Sequence, residues 1–88
     1  MGVIDSIEDE DGRFVMAAFP NPSSDILYLE VSEDYIGTEF TLSDIHGRVV
    51  EVLNIHSERT TIDVSGLEKG VYVLTTKMLR RSLQVVVQ

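Results

Sequence analysis

The chain has 88 residues, a formal net charge of −8 and no cysteine. That length allows one domain able to bury about 60 to 65% of its unfolded surface, with little room for a catalytic cavity. The negative charge argues against general binding to nucleic acid or anionic lipid, where a basic face supplies most of the affinity. The missing cysteines exclude a disulfide framework, a thiolate metal site and thiol redox chemistry. The longest apolar runs, at residues 71–74 and 85–87, fall far short of the roughly 20 residues that span a bilayer, and the start is acidic rather than a basic leader. Neither a membrane span nor a signal peptide is therefore expected within these residues. A leader on a larger exported protein would lie upstream of such a domain.

Residues 1–13 read as an acidic leader or linker remnant, with Met1-Gly2 as a cloning remnant, and residues 14–88 as the domain proper. Asp5, Glu8, Asp9, Glu10 and Asp11 crowd the start, whereas Lys69, Lys77, Arg80 and Arg81 stand in a final stretch that has no acid, so a basic patch towards the C-terminus is a candidate. A first strand is expected over 14–19. It runs into Phe19-Pro20-Asn21-Pro22-Ser23-Ser24-Asp25, where two prolines fix φ and lack donors, so the segment is expected to be extended and to lie outside any helix or central strand. Ser23, Ser24 and Asp25 bond to nearby backbone and close a turn.

Strand 26–32 places Leu27, Leu29 and Val31 on one face, and a turn begins at Glu33-Asp34 towards Gly37. Segments 40–43 and 49–55 flank a hairpin with His46-Gly47 at its tip, where positive φ suits glycine. Strand 60–64 turns Ile62 and Val64 inward. A loop bracketed by Gly66 and Gly70 carries Leu67 as a plug for the core. Segment 70–76 is apolar on both faces and is the expected central strand, with Tyr72 in the core. The last strand points Leu83, Val85 and Val87 inward. Period-two alternation in short segments separated by turn residues predicts an all-β antiparallel fold of about six or seven strands in two packed sheets, with no convincing helix.

No motif for catalysis emerges. His46 and His56 are the ordinary neutral-pH bases, and both sit in turn or loop contexts without a nucleophile. Asp9-Glu10-Asp11-Gly12 has the flavour of a calcium loop, but aligning Gly12 with the loop glycine puts Ile7 and Ala18 at the terminal ligand positions, and neither offers a carboxylate. The middle proline of Asn21-Pro22-Ser23 spoils it as a glycosylation acceptor. No cofactor, no metal and no enzyme activity is expected. Tyr28, Tyr35 and Tyr72 lie in separate segments without a tryptophan, so a sugar platform is the weaker reading: an immunoglobulin-like adhesion or carbohydrate-binding accessory module.

Four blocks in order carry a resemblance: Phe19-Pro20-Asn21-Pro22; the strand Ile26-Leu27-Tyr28-Leu29; residues 41–50 around Gly47; and Ile62-Asp63-Val64-Ser65-Gly66-Leu67 followed by Lys69-Gly70-Val71-Tyr72-Val73-Leu74. From about Phe14 to Gln88 the chain resembles the type A C-terminal sorting domain of the type IX (Por) secretion system. His46 stands where Asn is common, and Met78-Leu79-Arg80-Arg81 where a turn with glycine and lysine is frequent.

The resemblance implies an immunoglobulin-like β-sandwich and a non-catalytic address for an attached N-terminal cargo, with family-motif residues Pro20, Asn21, Pro22, Gly47, Asp63, Gly66, Leu67, Gly70 and Tyr72. It implies export through the periplasm and outer membrane by the type IX translocon to the cell surface or medium, followed by removal by a sortase-like transpeptidase. Lys77, Arg80, Arg81, Val85, Val86, Val87 and Gln88 are the expected translocon-recognition residues.

Overall fold

A computed structural model describes residues 3–88; Met1-Gly2 lie outside the described residues. Eight strands form two four-stranded sheets: β1 (Val3–Glu8), β2 (Phe14–Asn21), β3 (Ile26–Val31) and β6 (Arg59–Asp63) make sheet A, in the order β1-β2-β3-β6. Sheet B runs β5-β4-β7-β8, built from β4 (Glu39–Asp44), β5 (Val49–Asn54), β7 (Gly70–Thr76) and β8 (Leu83–Val87). Every strand pairing is antiparallel, and one 3-10 turn, Glu33–Tyr35, is the only helical segment among the described residues. The fold is an antiparallel β-sandwich, with eight strands rather than six or seven.

The extra strand lies in the acidic segment. Residues 3–8 pair with β2, and Ile7 is buried opposite Met16, so this part of the expected leader is a sheet edge. Its pattern hides the strand, because Val3, Ile4 and Ile7 do not keep a period of two and the pairing register shifts twice along the run.

The alternation read from sequence accounts for the buried residues of β3, β6 and β8, and Phe40, Leu42 and Leu74 join them in the core. Leu27, Leu29 and Val31 of β3, Ile62 of β6, Phe40 and Leu42 of β4, Tyr72 and Leu74 of β7, and Leu83, Val85 and Val87 of β8 are all buried. Fully burying a side chain of this size contributes about 1.5 to 3 kcal/mol. β7 lies between β4 and β8 and is central to its sheet, as expected, but only its even face enters the core. Val71 and Val73 face outward instead, because an antiparallel sandwich buries one face of each sheet.

The proline expectation needs correcting. Pro20 belongs to β2, a strand with neighbours on both sides. It is accommodated because the pairing with β3 ends at Phe19↔Tyr28, while the pairing with β1 jumps from Ala18↔Asp5 to Asn21↔Val3 through an irregularity. Pro20 therefore stands where neither ladder asks for its missing N–H. The Phe19-Pro20 and Asn21-Pro22 peptide bonds are both cis.

Candidate recognition surface

The hairpin tip forms as its composition dictates. Asp44 accepts hydrogen bonds at Oδ1 from the His46 and Arg48 amides (2.9 and 3.0 Å), its carbonyl accepts the Gly47 amide (3.0 Å), and Gly47 takes φ +85°. Partial burial acts to raise the Asp44 pKa, but the hydrogen bonds from the Arg48 amide and guanidinium and the His46 amide outweigh it and hold the carboxyl below its ordinary value of 3.8. Gly47, and not His46, carries the positive φ of the tip. His56 lies beyond the other end of six-residue β5, so the two histidines are separated by about 20 Å of strand and form no common centre.

The second motif block closes a loop. The Asp63 carboxylate accepts the Ser65 hydroxyl and amide (2.6 and 2.9 Å), which keep it below the ordinary carboxylate range. Both depressed aspartates stabilise the fold above their ordinary pKa and lose that contribution as pH falls through the lower folded values. Leu67 packs half-buried against the core after its amide bonds the Val64 carbonyl, and the Tyr72 hydroxyl donates to the Glu68 carbonyl at 2.6 Å. Gly66 sits in this turn. Gly70 opens β7 at φ +155°, with open space where a Cβ would stand, so a side chain there is strained by backbone geometry alone.

The first motif block does something its composition did not announce. Asn21 and Ser23 are buried, and both reach β8, more than 60 positions along the chain. Asn21 Nδ2 donates to the Gln84 carbonyl (3.1 Å), and its Oδ1 accepts the Val86 amide (2.8 Å). The Ser23 amide donates to the Val86 carbonyl (2.9 Å), and the Ser23 carbonyl accepts the Gln88 amide (2.8 Å), forming a parallel bridge between Ser23 and Val87. The turn-forming role expected of Ser23 is also present, since its hydroxyl donates to the Ile26 carbonyl (3.1 Å).

The expected recognition residues divide. Val85 and Val87 are core residues, whereas Val86 and Gln88 are exposed on alternate positions of the same strand. Lys77, Arg80 and Arg81 gather in the exposed β7–β8 turn, where the Arg81 guanidinium donates to the Glu8 carbonyl at 3.0 Å. Lys69 stands at the opposite end of seven-residue β7, about 20 Å away, and is not part of that cluster.

The two outer faces differ. On sheet A, Arg59 lies over the rings of Phe19 and Tyr28, 5.2 and 5.3 Å from their centroids, and pairs with Glu30 at 3.2 Å. Tyr28, Tyr35 and Tyr72 are none of them fully exposed, so no aromatic platform forms from them. On sheet B, the outward side chains of the central rows are Val49 and Val52, Thr41 and Ser43, Val71, Val73 and Thr75, and Gln84 and Val86, with no charge among them. Of the nine exposed large apolar side chains among the described residues, only Phe14 and Ile36 lie away from sheet B and its turns. Charges flank this face: Glu39 and Lys77 at one end, Arg48 and Lys69 at the other, each end with a groove of about 520 Å³.

Among the described residues no group of three or more His, Asp or Glu could hold a metal ion, and no helix is long and apolar enough to cross a membrane. No curated protein and no solved structure matches the chain. A family profile described as the secretion system C-terminal sorting domain matches residues 17–87, from the middle of β2 to the end of β8. The matched span contains every block of the motif pattern and both sheets apart from β1 and the start of β2, and the chain belongs to the family of secretion system C-terminal sorting domains.

Proposed function

We propose that this domain is a non-catalytic address, read in the folded state, that carries an N-terminally attached cargo through the type IX translocon to the cell surface or medium, after which a sortase-like transpeptidase removes it. The observation that carries this reading is the family match over residues 17–87, within which the motif residues serve the architecture of the sandwich. Asn21, Gly47, Asp63, Gly66, Leu67, Gly70 and Tyr72 close turns or join elements, Pro20 and Pro22 frame Asn21, and none combines with a nucleophile and base. Such a module gives unrelated cargoes one common shape.

The recognised surface in this reading is the exposed β7–β8 turn with Lys77, Arg80 and Arg81, continued by Val86, Gln88 and the uncharged face of sheet B. Val85 and Val87 contribute from within the core by holding β8 in place. Exposed cations add little to folding but guide docking to an acidic partner.

The test is a periplasmic reporter fused ahead of residues 14–88 in a bacterium that has this secretion system. The intact module delivers the reporter to the surface or medium. Replacing Lys77, Arg80 and Arg81 with Gln leaves the melting temperature of the purified domain unchanged and lowers delivery. Deleting residues 83–88 abolishes delivery and folding together. A reporter that stays periplasmic, in a host shown to export another family member, overturns the reading.

A further inference from the structure

The bonds between residues 21–23 and β8 follow the rule of a parallel β-ladder. In such a ladder a residue bonds on both sides of its partner, its N–H to the preceding residue's carbonyl and its C=O to the following residue's amide. Ser23 does this around Val87, through the Val86 carbonyl and the Gln88 amide. The Asn21 carboxamide does the same around Val85, through the Gln84 carbonyl and the Val86 amide. A planar side-chain amide therefore stands in for the N–H and C=O of one strand residue, two positions before a true one. Prolines on both sides of Asn21 have no N–H to extend the imitation. The result is a strand imitated over two rungs on the outer edge of the last strand of sheet B.

We propose that the outer edge of β8 is a strand-acceptor site, filled in cis by residues 21–23, and that the partner it fits is an extended protein segment laid parallel to β8 with residues k and k+2 paired to Val85 and Val87. The four edge groups, Gln84 C=O, Val86 N–H, Val86 C=O and Gln88 N–H, are those that any backbone in that register would bond, and strand addition at a sheet edge is a general mode of peptide recognition. An incoming backbone replaces a side-chain imitation by a continuous ladder. Tethering gives the cis occupant its advantage, through effective concentration rather than through more bonds. Only the identity of the partner, the export machinery, rests on the sorting reading. The site itself is tested without secretion.

The probe is a synthetic peptide copying residues 17–26, Ala-Ala-Phe-Pro-Asn-Pro-Ser-Ser-Asp-Ile, added to the purified domain. In Asn21→Ala the Val86 amide loses its acceptor and exchanges with solvent at least tenfold faster than in the wild type. The amides of Val85 and Val87, which alternate towards β7, keep their rates. Adding the peptide slows Val86 exchange again, as does one with Ala in place of its Asn, which pairs through its backbone, and N-methylating that Ala and the first Ser abolishes the effect.

Asn21→Asp is the second variant: it keeps the shape and the Oδ acceptor but turns an oxygen towards the Gln84 carbonyl. It takes up the same peptide at neutral pH. A folded variant whose Val86 amide stays protected, or one that ignores the peptide, overturns the proposal. Self-association of the variants without peptide uptake also overturns it, since the edge would then prefer a second copy. Should both variants unfold, exchange in the wild type decides: Val86 and Gln88 open before Val85 and Val87 if the clasp releases on its own, and all four open together if it does not. Loss of reporter export by an intact domain would sink the sorting reading and leave this site standing.

Discussion

On the outer face of sheet A, a guanidinium, two aromatic rings and a carboxylate from β2, β3 and β6 satisfy one another, with Arg59 over Phe19 and Tyr28 and beside Glu30. On the outer face of sheet B, valines, threonines, a serine and a glutamine lie side by side, and the Thr41 and Thr75 hydroxyls bond to each other at 2.8 Å. The first face spends its chemistry on its own stability. The second, in a chain of charge −8, keeps charge out of its central rows and leaves apolar surface in water, the property that marks interaction surfaces.

The largest expected effect separates the two sides of one strand. Leu74 is fully buried and its neighbour Val73 faces outward. Leu74→Ala is expected to cost about 2 to 5 kcal/mol, whereas Val73→Thr should stay within about 0.5 kcal/mol, as read from urea denaturation. An equal loss at both positions would show that the outer face of sheet B is packed and not bare.

A middle-sized effect belongs to sheet A. Arg59→Ala removes two cation–π contacts and an ion pair, all partly exposed, and should cost about 1 kcal/mol, seen as a melting temperature lower by about 4 to 8 °C in a domain of this size. Arg59→Lys should recover only part of it, since the planar guanidinium stacks and the ammonium does not. No change in melting would mean that the two faces do not differ in self-consolidation.

The smallest effect on stability should have the largest effect on recognition. Val52→Lys places a charge in the outward row of β5, where half of the side chain is already exposed (50%). Folding should change by less than about 0.5 kcal/mol, while delivery of a fused reporter falls. Unchanged delivery would remove the sheet B face from the recognised surface.

Much of this was legible in the residues. Period-two alternation marked the inward side chains of β3, β6 and β8, because a strand with one buried face must alternate. The turn at His46-Gly47 could be read because few sequences other than one with glycine satisfy positive φ there. β1 was not legible: its pairing with β2 depends on a neighbour supplied by the fold, and the register shifts twice along it. The cluster of Arg59, Phe19 and Tyr28 also escaped, since its members come from three strands whose register no local pattern encodes.

By itself the sequence determined the fold class, the inward faces of β3, β6 and β8, the turn positions and the motif blocks that carry the family, because these depend on local backbone preference and on the periodicity of burial. Tertiary structure alone decided that Asn21 bonds a strand more than 60 positions away, that Pro20 falls between two ladders, and that the uncharged residues of four strands share one face. Those features arise from strand order and register, which are set by the packing of the two sheets as a whole. A carboxamide between two prolines is only a turn residue until the fold brings the last strand alongside it.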